Sequence, residues 1–157
     1  MTDVKPIPTS RFYIEIGDMV EKMVASVGEM SFEGKTAGHE KPIASTKDGK
    51  TLWQSTSSGF SNNPDFSLEV YLVEGDMDWY NWFLSIVPKS EGGGGKGLDG
   101  RKSGKLVAYN ASDEEVLEWT ITNGWPKSYS VSDLSADGGE LVKETYELVC
   151  EDIKRTK

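Results

Sequence analysis

Apolar residues recur at every second position along most of this chain, and that period predicts strands. Phe12, Ile14 and Ile16 alternate with Tyr13 and Glu15, which reads as a half-buried strand ended by Gly17-Asp18. From Met19 to Phe32, Val, Met, Ser and Glu mix without helical spacing, and the segment reads as strand broken at Gly28. Phe66 to Val73 is the clearest case. Phe66, Leu68, Val70 and Leu72 fall on one face, Ser67, Glu69, Tyr71 and Val73 on the other, and Gly75 ends the run. Further strands are expected over Leu106–Asn110, over Val116–Thr122 and over Lys127–Leu134; in the second of these Leu117, Trp119 and Ile121 alternate with Glu118, Thr120 and Thr122. The last, Leu141–Cys150, puts Val142, Tyr146, Leu148 and Cys150 on one face, with Glu144 the odd member. Lys143, Thr145, Glu147 and Val149 take the other face.

One segment breaks the period. Asp76 is expected to cap a helix over Met77–Val87, Asp78 complements the dipole in the first turn, and Pro88 stops it. Tyr80, Phe83, Leu84 and Val87 make one apolar stripe, and Trp79, Trp82 and Ile86 make a second. Only Asp78, Asn81 and Ser85 are polar between them. Such a helix is either sunk in its own core or packed both on its own sheet and on a second polypeptide. Two stretches carry no apolar pattern. Gly34–Pro64 has Trp53 almost alone as a large apolar residue, and a turn signal at Lys47-Asp48-Gly49-Lys50. Its length exceeds an ordinary connection and points to a function or an ordering partner. Lys89–Gly104, with Gly92–Gly95 inside it, reads as a linker or exposed loop. The expected organisation is a loose arm over 1–10 and a single domain over 11–157, interrupted by an excursion at 34–64 and a Gly-rich insertion at 89–104. Six or seven strands and one helix predict a mainly β fold: a small antiparallel barrel or sandwich with one flanking α-helix.

Composition narrows the function. Among 157 residues, 17 Lys and Arg stand against 26 Asp and Glu, a net charge of −9. An acidic surface repels phosphate backbones and anionic headgroups, which argues against binding nucleic acid or membrane surfaces. No apolar run approaches the ~20 residues of a membrane span. The start, MTDVKPIPTS, does not read as a secretory signal, so a cytoplasmic site is expected. One Cys forms no internal disulfide, and one Cys with one His cannot fill a four-ligand zinc site. His39 sits in the polar excursion with nothing to set it against Cys150, and Cys150 reads as a buried inert thiol. The Gly-rich tract is no phosphate loop: Gly95-Lys96 is followed by Gly97, and Lys102-Ser103 is preceded by Arg101. Asp133, Ser135, Asp137, Gly138 and Glu144 have the spacing of a calcium loop. The required apolar position falls instead on Glu140, however, and the flanks read as strands, so a plain turn is expected. Asn110-Ala111-Ser112 has the pattern of a glycosylation sequon, void without secretion. The chain is expected to be no enzyme, with no cofactor and no metal.

Several segments, in order, resemble one family. An N-terminal Phe-x-Ile-x-Ile strand ends in Gly, and Ala25-Ser26-Val27-Gly28-Glu29-Met30 follows. Then come Phe66-Ser67-Leu68-Glu69-Val70-Tyr71-Leu72 and the acidic-start helix with Trp79-Tyr80-x-Trp82-Phe83. After them stand Leu117-Glu118-Trp119-Thr120-Ile121-Thr122-Asn123-Gly124-Trp125-Pro126 and a Glu-rich final strand over Val142–Glu151. This order, and above all the Asn-x-Trp-Pro motif, resembles the inner tail-tube protein family of contractile phage tails and bacterial contractile injection systems, from about Arg11 to Ile153. The Gly92–Gly95 tract looks like an insertion relative to it.

The resemblance implies a barrel-like sandwich with one helix on its flank, six copies in a ring, and rings stacked into a hollow tube that sheath contraction drives out. Strands then pair across subunits. Glu69, Glu118, Thr120, Thr122, Lys143, Thr145 and Glu147 are the lumen-facing candidates. Lys47, Asp48, Gly49, Lys50 and Trp53 are candidates for an inter-ring loop, and Trp79, Trp82 and Ile86 for contact with a neighbouring subunit or the sheath. The implied partners are copies of the chain itself, a sheath protein, baseplate and tube-capping proteins, and protein or DNA cargo in the lumen, with no direct membrane binding. The particle would assemble in the cytoplasm and be released or membrane-anchored. Two other readings stay open: a secreted ring-forming carrier of the type VI secretion kind, and a lone β-barrel whose aromatics line a cavity for a small apolar ligand.

Overall fold

The computed structural model describes residues 3, 5–38, 44–45, 49, 51–52, 55–60, 63–87 and 97–157. Along the chain run β1 (Phe12–Ile16), β2 (Val24–Val27), β3 (Gly34–Gly38), β4 (Ala44–Ser45), β5 (Thr51–Leu52), β6 (Ser55–Phe60), β7 (Asp65–Tyr71) and α1 (Asp78–Ile86). A short 3-10 helix (Gly97–Gly100) follows, then β8 (Lys102–Tyr109), β9 (Glu115–Val131), β10 (Lys143–Val149) and β11 (Asp152–Arg155). The main sheet has the order β1-β8-β9-β10-β7-β2, with β11 added alongside β9, and every pairing is antiparallel.

β9 makes this one sheet into two layers. Its first half pairs with β8 and β11, its second half with β10. The layer β1-β8-β9-β11 supplies Ile14, Ile16, Leu106, Ile121 and Ile153 to the core; the layer β2-β7-β10-β9 supplies Phe66, Leu68 and Leu148. The sheet therefore folds on itself as a sandwich but does not close as a barrel; β1 and β2 end its main path, and β11 is a further edge alongside β9.

The two strands expected over Val116–Thr122 and Lys127–Leu134 are this single strand. Asn123, at φ 48, bends it without ending it, a backbone state that Asn tolerates better than most residues. The bend is tied down from both sides: the Asn123 amide donates to Ser103 Oγ at 3.1 Å, and its Nδ2 to Glu151 Oε2 at 2.8 Å. Three residues on, Pro126 pairs with Leu148 and Ser128 with Glu147, which leaves Lys127 as the extra residue of a bulge. A bulge is where a sheet interior can accept a residue without an N–H. Pro126 is wholly buried there, while Trp125, on the outer face opposite Val149, is only half-buried.

Other expectations shift in detail. The helix forms, but Met77 holds its N-cap position. The Asp76 carboxylate, one residue earlier, accepts the Asp78 amide at 3.2 Å. The 34–64 excursion contains two separate ladders, β3 with β6 and β4 with β5. Their Gly, Ser and Thr carry no hydropathy contrast, so the period-two signal has nothing to act on. The insertion ends in structure: β8 starts at Lys102, two residues before the expected loop ends. β11 was not anticipated, because only Ile153 among its residues is apolar. The Ser132–Val142 stretch is a hairpin loop between strands, with the Gly138 amide on the Ser135 carbonyl, as the turn reading required. No helix among the described residues is long and apolar enough to cross a membrane.

Candidate functional site

Strand alternation sorts the candidate residues by layer. On β7 and β10 the core takes Phe66, Leu68, Val70, Tyr146 and Leu148, so their neighbours Glu69, Lys143, Thr145 and Glu147 stand on the outer face. Register brings these four together: Thr145 lies opposite Glu69, and Glu147 and Lys143 flank it along β10. Ser26 donates to Glu69 at 2.9 Å, Lys127 pairs with Glu147 at 3.1 Å, and Lys143 Nζ lies 5.8 Å from the Tyr71 ring centre. The remaining three, Glu118, Thr120 and Thr122, lie on the outer side of the other layer, beside Val107, Lys105 and the β11 residues Lys154 and Asp152. Across the core these layers face opposite ways, so the seven residues form two groups and not one.

Trp79 and Trp82, expected at a contact surface, lie inside the chain's own core at 6% and 5% exposure. Trp82 Nε1 donates to the Gly100 carbonyl at 2.8 Å, which anchors α1 to the 3-10 helix. Ile86 is half-buried against the same core. α1 and the second layer meet through rings: Trp79 with Tyr146, Phe83 with Tyr129 and Tyr80 with Tyr129 have centres 6.2, 5.8 and 5.2 Å apart. Such tilted pairs are favourable beyond the area they bury. The inter-ring candidates Lys47, Asp48, Lys50 and Trp53 lie outside the described residues, as does His39; Gly49 is exposed in a left-handed turn at φ 76.

Two features went unread in the sequence. The first is Glu144, buried to 6% exposure between these rings. It accepts the Tyr146 hydroxyl at 2.5 Å, and Tyr129 adjoins it. Burial, then the bond to Glu144 and its charge, push the Tyr146 hydroxyl far above its ordinary pKa; Tyr129 is raised by burial and by the same carboxylate. The signal was there, as the one acid on an apolar strand face. The second is an apolar groove of about 630 Å³ between the sheet's two ends, lined by Phe12 of β1, Val27 of β2, Met30, Leu106 and Trp119. Sequence spacing could not reveal it, because it arises from how far apart β1 and β2 stand. Cys150 is the inert thiol expected: it is buried, and burial followed by the charge of Asp65 pushes it up to about 12.

Comparison with known proteins agrees with this architecture. The family model described as T4-like virus tail tube protein gp19 matches residues 8–154. Among solved structures, the sheath-tube complex of the PVC extracellular contractile injection system, extended state, is similar at 15% identity and TM-score 0.74, covering 96% of this chain and 91% of that one. The sheath/tube terminator of the same system gives 16% identity and TM-score 0.76, covering 99% and 100%. Hcp1 from Flavobacterium johnsoniae gives 13% identity and TM-score 0.54, covering 93% and 94%. Comparison with curated protein sequences gives no match. At these identities the structural likeness speaks to the fold. The family match, over nearly the whole chain, goes further: the chain belongs to the T4-like virus tail tube protein gp19 family.

Proposed function

We propose that copies of this chain form six-fold rings that stack into the hollow inner tube of a contractile injection particle or phage tail. The tube is enclosed by a sheath, started on a baseplate and closed by a cap. The observation that carries this reading is the open sheet. β1 and β2 end it without a partner strand among the described residues, and an apolar groove lies between them. Unpaired edges beside exposed apolar surface are a liability for a solitary protein and a template for pairing with another copy. Pairing across a closed ring would remove both ends at once. The polar outer face with Glu69, Lys143, Thr145 and Glu147 is then the lumen lining, and it offers protein or DNA cargo a surface with little to stick to. The trio Glu118, Thr120 and Thr122, on the opposite layer, then faces neighbouring rings or the sheath side. Lys47, Asp48, Gly49, Lys50 and Trp53 remain the proposed reach to the next ring, and half-buried Ile86, unlike Trp79 and Trp82, remains a proposed contact of the helix with a neighbouring subunit or the sheath. Assembly begins in the cytoplasm, where sheath and baseplate are available.

The mechanism is mechanical. The ring interface is heterologous and closes, whereas the stacking interface is heterologous and does not, so it grows a filament. Negative-stain electron microscopy of the purified chain, alone and co-expressed with sheath and baseplate proteins, tests this. Rings or tubes are expected; particles that stay single under both conditions defeat the reading. A secreted ring-forming carrier is the second reading, favoured by the likeness to Hcp1; its mark is rings in the medium without a sheath. The lone ligand-binding barrel has lost its ground, because the sheet does not close around a cavity.

A further inference from the structure

The structure assigns a recognition pit for a basic side chain, an arginine or lysine of a partner polypeptide, at the N-terminal end of α1. Leu72, Asp76, Met77, Tyr80, Tyr129 and Glu144 line a cavity of about 280 Å³ there. Glu144 forms the floor, more than nine-tenths buried, with no cation paired to it among the described residues. Its hydrogen bond comes from a tyrosine hydroxyl, which satisfies an oxygen but does not balance a charge. An enclosed carboxylate is best compensated when a cation joins the hydrogen bonds that it accepts.

The walls suit a cation. Tyr80 and Tyr129, with ring centres 5.2 Å apart, give the pit an aromatic lining, and aromatic rings attract cations. Asp76 also lines the rim, but its carboxylate is already engaged by Lys22. Lys22 does not fill the pit: its Nζ is held by Asp76 at 3.0 Å and Asp78 at 2.6 Å. Lys143, the neighbour of Glu144 in sequence, points to the opposite face of β10, over Tyr71. Exposed Leu72 and Met77 give the rim an apolar surface for the stem of a long side chain. The net charge of −9 complements a partner of net positive charge better than it does a second copy, so the proposed occupant is a basic partner. The pit does not depend on the ring reading, and its test can fail while rings still form.

The probe is N-acetyl-arginine amide, with N-acetyl-citrulline amide as its uncharged near-isostere, titrated into the purified full chain and followed by proton NMR of the Tyr80 and Tyr129 ring signals. Arginine amide is expected to shift those signals saturably and citrulline amide to leave them unmoved. Glu144→Gln is expected to weaken arginine binding about tenfold or more. Should that variant not fold, Tyr80→Leu at the half-exposed wall supplies the same comparison. Equal responses to both amides, or an arginine response unchanged in both variants, overturn the assignment.

Discussion

At the scale of single residues, backbone proximity decides more than side-chain chemistry. Gly104 pairs with Ile16 in the β1–β8 ladder, and a Cβ there would lie 2.0 Å from the Glu15 carbonyl oxygen. Backbone cannot rotate out of the way, so Gly104→Ala forces β1 outward. We expect a loss of about 3 kcal/mol, the upper end of ordinary overpacking, read as a lowered denaturant midpoint. Gly139, in the open β9–β10 loop, has nothing within 4 Å, and alanine there should stay within about 0.5 kcal/mol of the parent. Equal effects at the two sites would mean that the edge strand is loose. None of this was legible in the sequence, where both positions are merely glycine. Trp125 gives the reverse lesson. In the Asn-Gly-Trp-Pro motif the largest side chain, Trp125, is only half-buried, whereas Gly124 and Pro126 are buried, and the bend is made at Asn123.

At the scale of elements, β1, β7, α1 and β10 were legible because their alternation or helical spacing reflects a real division between core and outside. β3 to β6 were not, since runs rich in Gly, Ser and Thr show no alternation of apolar and polar residues. The division of β9 between two layers was not legible either, and with it went the assumption that one face carries all seven polar candidates. The start of α1 is fixed by charge. Burial alone would raise the Asp76 pKa, but hydrogen bonds from Lys22 and from the Asp78 amide, with the Lys22 charge, outweigh it and hold Asp76 below 3.8. Its bond to Asp78 and then, against burial, to Asp76 raises Lys22 above 10.5. A depressed acid stabilises above its unfolded pKa and ceases to as pH falls through its folded one; a raised lysine stabilises below 10.5 and ceases to as pH rises past its folded value. Asp76→Asn should therefore lower Tm throughout the neutral range, with the gap to the parent closing below about pH 4 as the parent's Asp76 takes up a proton and loses the charge that the variant never had. A gap that persisted at the acid end would show that the carboxylate acts by shape and not by charge.

At the scale of the whole molecule, attraction and repulsion between copies reside on different parts of one surface. The groove between β1 and β2 is apolar, as are Val73, Leu134 and Leu141, exposed by 40%, 76% and 68%. Burial of such surface draws copies together with little dependence on salt. Against it stands the charge: each copy in a proposed ring of six carries −9. At ~0.01 M salt the Debye length is ~30 Å and copies feel one another's whole charge; at ~1 M it is ~3 Å and only direct contacts count. Salt should therefore tip the balance toward assembly. Light scattering by the purified chain is expected to rise steadily between these limits, with rings or tubes replacing single particles on microscope grids. The surface ion pairs within one copy, such as Lys127 with Glu147, contribute little and are screened without consequence for the fold. Scattering that fell as salt was added would mean that copies are joined chiefly by opposite charges, and the apolar groove would then not be what closes the ring.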